Sequence, residues 1–314
     1  MPITRMDRVT VNVTDRENWL QLRRRNVGAS DVGALFHADP HKTALRLWAE
    51  KRGELPVDEA DSAAMRRGRI LEPAVAEALR EAHPDWVIVP ARQYVELADL
   101  RLGATPDFYG WHSQASYDAG DAPFLIQAKT VISEVWEEAW TPSPPAHYLL
   151  QVQAEMLVTG IRKAMLVPMV LDGREFPIFE YEFTYDAEIG DAIIAQVTKF
   201  WKQVADGREP SLKAAQDGAT LAKMFPEGDG QVLALHGDGD FVSTCRAYRD
   251  AQAQIKTLQE AKESLGCKLM NKLRNHGKAE AQDFKVHWTT IAGGTRVQNV
   301  KPHRRLVVNE RKGK

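Results

Sequence analysis

The sequence predicts an α/β protein. It has a mixed β-sheet flanked by helices over residues 1–210, a linker over 211–240, and a helical plus short β C-terminal extension over 241–314. Three features predict this. Short β-branched and aromatic runs alternate with stretches of helical period between residues 15 and 206. Asp172-Gly173 separates two such runs and is a strong hairpin signal. From 211 to 240 the composition turns Gly- and Asp-rich, and beyond it Tyr248, Ala251, Ile255, Leu258, Leu265, Leu269 and Leu273 keep helical spacing.

The elements follow in order. Thr14 or Asp15 starts a helix over 15–25 with Trp19 and Leu22 on one face. Val27-Gly-Ala-Ser-Asp31 turns into a second helix, with Ser30 or Asp31 at its N-cap and Val32, Leu35 and Phe36 inward. Thr43 opens a helix over 44–52 that Gly53 closes. A polar loop over 54–62 leads to a long helix over 63–81, with Ile70, Leu71, Val75 and Leu79 as the inner stripe and Glu72 beside it. Strands are expected at 86–90 and 93–97, and an antiparallel pair at 101–104 and 107–111 bent at Thr105-Pro106. A strand over 124–130 follows a loop. After the break at Pro142 to Pro145 comes a helix over 146–159 with Leu149, Val152, Met156 and Leu157 buried. Strands at 163–171 and 175–184 form the hairpin. Asp186 caps a helix to 206, with Ile189, Ile193, Val197, Phe200 and Val204 inward and Gly207 as its stop. The extension holds a helix over 244–276, whose stripe needs a partner, a strand through Phe284, Val286 and Trp288, and another over 304–308.

The composition narrows the function. The chain has 314 residues, 44% hydrophobic and 27% charged, enough for a large core. No apolar run is long enough to span a bilayer, and the N-terminus lacks a signal-peptide core. Cys245 and Cys267 fall in one helix, too far apart to bond each other. The expected setting is a reducing cytoplasm, that of the host if the chain is phage-encoded. A net charge of −2 excludes a general polyanion binder. Nucleic-acid contact would use local clusters: Arg23-Arg24-Arg25, Arg66-Arg67 with Arg69, and the tail from Lys301 through Arg305 to Lys314, each of which, taken alone, reads first as a solvated face.

The stretch Phe124-Leu-Ile-Gln-Ala-Lys-Thr130 carries the chemistry. Alternation along a strand puts Gln127 and Lys129 on one face and Ile126 and Ala128 on the other. Asp107 comes in from the Pro-turn about twenty residues upstream. Hydrolysis of a phosphodiester needs an activated water and charge neutralisation, and magnesium on one or two carboxylates supplies both. Asp107 is the natural primary ligand, with Glu72 and the Gln127 side-chain oxygen as supplements and the Ala128 carbonyl as a further oxygen. Lys129 can orient the water or stabilise the transition state, and Gln151 can bond the water or the scissile phosphate. Arg23 and Ser30 could together hold a phosphate; alternatively Ser30 is a plain cap and Arg23 a surface charge. Glu155 reads as a surface charge, His147 as a capping or surface residue, and Trp136, Trp140 and Trp201 as core or loop anchors. No Gly-x-Ser-x-Gly is present to carry a serine nucleophile.

The order Arg23…Gly28-Ala-Ser-Asp31, Gly68-x-x-x-Glu72, Thr105-Pro-Asp107, Gln127-Ala-Lys129 and Gln151-Val-Gln153 resembles the YqaJ-type viral recombinases, relatives of lambda exonuclease with the PD-(D/E)XK motif. The resemblance covers roughly 15–210; the later helix, the Trp288 strand and His303-Arg-Arg305 are less specific. It implies a restriction-endonuclease-like fold and a processive, magnesium-dependent 5'→3' exonuclease on linear duplex DNA, with manganese as a substitute ion. It also implies a homo-oligomer, often a ring of three, that works with a single-strand annealing protein. In that family the residues matching Arg23 and Ser30 grip the 5'-terminal phosphate. The family usually has Glu where this chain has Gln127. Two alternatives follow: a catalytically silent DNA-end-binding protein of the same fold, or an endonuclease of the same superfamily.

Overall fold

The computed structural model describes residues 7–56, 62–291, 293 and 308. The chain divides into two compact units, 1–224 and 225–314. The first unit opens with β1 (Arg8–Asn12), α1 (Arg16–Arg25), β2 (Val27–Gly28), α2 (Val32–Leu35), α3 (Ala44–Arg52) and α4 (Ala63–Ala82). Next come β3 (Val87–Pro90), β4 (Gln93–Leu97), β5 (Leu102–Ala104), β6 (Phe108–Trp111), α5 (Gln114–Asp118), β7 (Phe124–Ile132) and α6 (Ser133–Val135). It ends with α7 (Ala146–Thr159), β8 (Lys163–Leu171), β9 (Tyr181–Thr184), α8 (Ala187–Asp206) and α9 (Ala214–Met224).

The strands form two sheets rather than one: a four-stranded sheet in the order β1-β4-β5-β2, and a five-stranded mixed sheet in the order β3-β6-β7-β8-β9. Only β7 and β8 run parallel in the larger sheet. The expected pair of 101–104 with 107–111 does not form. β5 pairs with β4 and β2, whereas β6 pairs with β3 and β7. Pro106 has no N–H to donate and holds Thr105 extended, so the chain steps from one sheet to the other there.

Helix α7 lies between the sheets. It packs on β4 and β5 of one and on β8 of the other, and every residue from Gln151 to Val158 is buried. A helix enclosed on all sides shows little amphipathic pattern. One core cluster gathers α7 and α8 on the smaller sheet through Leu97, Leu102, Leu157, Ile193 and Phe200. A second places Val75 and Leu79 of α4 on Phe108, Ile126 and Ala128, and a third joins Leu125 and Val131 to Val152 and Met156.

Some expected faces differ. Ile70 is 59% exposed; it stands five residues before Val75, about 140° around the helix at 3.6 residues per turn, while Val75, Ala76 and Leu79 face the sheet. Ile189 is exposed in the first turn of α8, before that helix reaches the cluster at Ile193, Val197, Phe200 and Trp201. The strand expected over 175–184 shortens to β9, preceded by a single bridge from Met169 to Ile178 beside Pro177, which lacks the donor that a ladder needs. The stretch 211–240 is not all linker. It contains α9, held by Gln216 Nε2 to the Pro40 carbonyl at 3.1 Å and by Lys213 Nζ to the His37 carbonyl at 2.9 Å.

In the second unit α10 (Gly239–Leu273) starts earlier than expected, where Asp238 accepts the Phe241 N–H at 2.9 Å. A hairpin of β10 (Lys278–Ala281) and β11 (Phe284–His287) follows, so the expected strand has a partner. Tyr248, Ile255, Leu258, Leu265 and Leu269 lie exposed along α10, and Leu273 is buried at its end. Cys245 and Cys267 are free. The strand expected at 304–308 and the basic tail fall outside the described residues, apart from Val308, which is in no strand. No helix among the described residues is long and apolar enough to cross a membrane.

Candidate functional site

Gln127 and Lys129 sit on β7 between Leu125 and Val131, on the face toward α7, where the pattern of the strand would otherwise be apolar. Asp107 ends the Pro-turn immediately before β6, and the Phe108–Ile126 pairing sets it beside Gln127. Its Oδ2 accepts the Ala128 N–H at 2.8 Å and a hydrogen bond from Gln127 Nε2. The Lys129 ammonium lies 5.1 Å from the centre of the Tyr148 ring. Glu72, from α4, is close enough for its charge to act on Asp107, and Lys129 acts on both. The structure thus brings together Glu72, Asp107, Gln127, Ala128 and Lys129 from three separate segments.

The electrostatics follow from crowding. Burial raises the Asp107 carboxyl, Lys129 pulls it down and Glu72 pushes it up, leaving it at about 7. Asp107 keeps some exposed surface, so water reaches it, while the protein atoms around it still penalise its charge. Glu72 is likewise raised by burial, against the pull of Lys129.

Helix α7 adds a group the sequence did not mark. Glu155 is 1% exposed rather than a surface charge. Its Oε1 accepts from Gln151 Nε2 at 2.9 Å, and its Oε2 is buried with no hydrogen-bond partner. Burial, helped by the Asp107 charge, pushes its carboxyl to about 8. Gln153 is structural: it donates to the Thr184 carbonyl at 3.0 Å and accepts the Asp186 N–H at 2.9 Å. His147 is half-buried against Tyr148, 4.0 Å between ring centres, and caps nothing.

Beside this cluster is a cavity of about 80 Å³ lined by Trp19, Arg23, Ser30, Tyr94, Gln151 and Glu155 among others. Arg23 and Ser30 therefore share a cavity with Gln151. Arg23 Nη2 is held by both Asp31 oxygens at 2.9 Å, and Lys42 Nζ reaches Asp31 at 3.1 Å and Glu50 at 2.8 Å. Burial works to raise the Asp31 carboxyl, but Arg23 and Lys42 more than offset it and hold it well below the usual range. The expected cap is corrected. Neither Ser30 nor Asp31 caps α2 with its side chain; Asp31 instead reaches back to the Gly28 N–H at 3.2 Å. With four residues, α2 is also too short to be the anion-favouring helix end expected there.

Residues 18–162 match the family described as a YqaJ-like viral recombinase domain. Over these residues the chain is similar to that family. The chain is also 28% identical over 214 residues to the uncharacterized protein YqaJ of Bacillus subtilis (strain 168), a match covering 67% of this chain and 62% of that protein. Among solved structures, an alkaline exonuclease (LHK-Exo) from Laribacter hongkongensis aligns with a TM-score of 0.47 and 20% identity, over 61% of this chain and 94% of that one. A phage related exonuclease from Haemophilus somnus 129PT aligns with a TM-score of 0.42 and 13% identity, over 58% and 96%.

A hard divalent cation needs oxygen donors gathered at one point. Among the described residues no three His, Cys, Asp or Glu side chains are gathered closely enough to hold a metal ion. The site offers two carboxylates, Glu72 and Asp107, with the Gln127 amide as a third oxygen. That amide oxygen is buried and has no hydrogen-bond partner. Leaving such an acceptor unmade costs about 1–3 kcal/mol. Magnesium is commonly held by one or two carboxylates with waters, so the donors fit.

Trp19, Tyr94, Gly103 and Glu155 were not singled out as site residues from the sequence. Glu155 had one available signal: it follows Gln151 by four residues and so shares its face. Its burial gives a prediction. Folded, the carboxyl binds its proton more tightly than the unfolded chain, whose glutamate titrates near 4.5. Stability from this group is therefore complete below that value and is lost as pH rises toward about 8. Thermal unfolding of the Glu155→Gln protein should show a flatter decline across that window, by on the order of a few kcal/mol. Parallel pH curves for the two proteins would place the lost stability elsewhere.

Proposed function

We propose that the domain is a nuclease that hydrolyses phosphodiester bonds at the ends of linear double-stranded DNA. One observation carries this reading: Glu72, Asp107, Gln127 and Lys129 converge around an unpartnered amide oxygen, next to a cavity lined by Arg23 and Ser30. Magnesium, or manganese in its place, would be held by Asp107, Glu72, Gln127 and the Ala128 carbonyl. Bound there, it would supply Lewis-acid charge neutralisation at the phosphoryl oxygens and lower the pKa of a water. The chain's own groups do the rest. The Lys129 ammonium neutralises developing charge and offsets the acids beside it. Gln151, fixed by Glu155, orients the water or the phosphate. Arg23 and Ser30 hold the 5'-terminal phosphate, with Arg23 itself aimed by Asp31. Attack in the 5'→3' sense, a ring of three subunits and a single-strand annealing partner complete the proposal and rest on likeness to the family alone.

A second reading, a silent DNA-end-binding protein, is favoured by the missing third acid at Gln127. Linear and circular duplexes incubated with magnesium, and separately with EDTA, separate the readings. Loss of only the linear DNA, and only with magnesium, is the expected result. A mobility shift without cutting would support the silent binder, and nicked circles an endonuclease. Arg23→Ala should lower the preference for 5'-phosphorylated over 5'-hydroxyl ends by roughly ten-fold or more, the range for a hydrogen bond to a charged group. An unaltered preference would remove Arg23 from the end grip.

A further inference from the structure

Tyr94 lies on β4 and is 2% exposed. Its hydroxyl is buried and has no hydrogen-bond partner, although the Asn26 amide is near enough to affect it. Tyr94 is one of the residues lining the cavity that Arg23 and Ser30 share. Arg23 Nε is a second buried group without a partner there, since its guanidinium is tied to Asp31 through Nη2 alone. Two residues with buried, unpartnered donors thus line one cavity. The chain makes room for this arrangement. On the adjacent strand β5 stands Gly103, and a Cβ there would collide with the Tyr94 hydroxyl and ring.

The charges around the cavity say what would satisfy the two donors. Of the residues that line it, Arg23 carries the positive charge, and Lys42 and Lys51 act on its partner Asp31 from behind. Glu155, the remaining acid on the cavity wall, is protonated and neutral at neutral pH because burial raises it to about 8. Burial pushes the Tyr94 phenol up to about 12, so it remains a donor throughout the working range. The occupant these features suit is an anion rich in acceptor oxygens.

We propose that the Tyr94 hydroxyl donates to the terminal phosphomonoester of the DNA end and, with Arg23, distinguishes a phosphate-bearing end from a hydroxyl end. This rests on the end-binding reading above. A phosphomonoester offers one more free oxygen and more negative charge than an internal diester, and a third donor is a way to use both. Tyr94→Phe removes only the oxygen and preserves the packed ring.

The test measures binding of the full chain, in EDTA, to duplexes that differ only in a 5'-phosphate or a 5'-hydroxyl. The unsubstituted protein should prefer the phosphate, and Tyr94→Phe should reduce that preference about ten-fold, the effect of one hydrogen bond to a charged group. If the unsubstituted protein does not distinguish the ends, the end-grip reading fails and takes this proposal with it. If it distinguishes them and Tyr94→Phe does so equally well, the role of Tyr94 alone is overturned. Equal weakening on both ends assigns Tyr94 to packing and also overturns it. Gly103→Ala is a second route, because it keeps the hydroxyl and pushes the ring aside. It should lower the same ratio, and an unchanged ratio in the folded Gly103→Ala protein overturns the proposal.

Discussion

Lys129→Ala should slow cutting of linear duplex DNA by about 10²–10³-fold or more, the cost of removing one preorganised group that stabilises transition-state charge. Binding to DNA ends in EDTA should change little. The reason lies in where the ammonium sits. Lys129 is the cation that lowers both Asp107 and Glu72, and Tyr148 lies beneath it at 5.1 Å. Without it, both acids lose the strongest pull against burial, and the charge that develops on the phosphate loses a counter-charge. Arg23 and Ser30 belong to the neighbouring cavity, so the grip on the end is untouched. Single-turnover cutting of a labelled duplex, with anisotropy for binding, separates the two effects. Turnover equal to that of the unsubstituted protein would take Lys129 out of the chemistry.

Gln127→Glu should have the second largest effect, and its direction depends on metal. In EDTA the substitution removes the hydrogen bond that Gln127 gives Asp107 and sets a second carboxylate against Oδ2. Like charges in a crowded site are costly, and with the lost bond the fold should be destabilised by about 1–3 kcal/mol, seen as a drop of several degrees in Tm. Added magnesium should reverse this, with a larger rise in Tm than in the unsubstituted protein. The magnesium concentration needed for half-maximal cutting should fall several-fold. Melting curves with and without magnesium that match those of the unsubstituted protein would show that position 127 is not a ligand.

The elements were largely legible because their signals are local. Asp15, Thr43 and Asp186 each cap a helix, and Gly53 and Gly207 each end one in the left-handed conformation. Gln127 and Lys129 stood out because polar groups in an apolar strand break its period. The division into two sheets was not legible, because the Thr105-Pro106 bend looks the same whether the flanking strands pair or part. Glu155 was hidden for a related reason: whether an acid on an apolar helix meets water depends on what covers it, and α7 is covered by both sheets. Tyr94 and Gly103 are nine residues apart, and neither marks the other in the sequence. Only the pairing of β4 with β5 makes their shapes complementary.

The two-sheet arrangement has a bearing on where such an enzyme would cut. Gly103 borders the cavity proposed for the terminal phosphate and Asp107 belongs to the proposed hydrolytic centre, and four peptide units across the sheet boundary tie them together. Fully stretched, those units reach about 14 Å. A tether of that reach works as a measuring stick. One strand of DNA advances about 3.4 Å per nucleotide, so the bond broken must lie within the first few nucleotides of the anchored terminus. A residue inserted between Ala104 and Asp107 would lengthen the stick, and the size of the released fragments would report it.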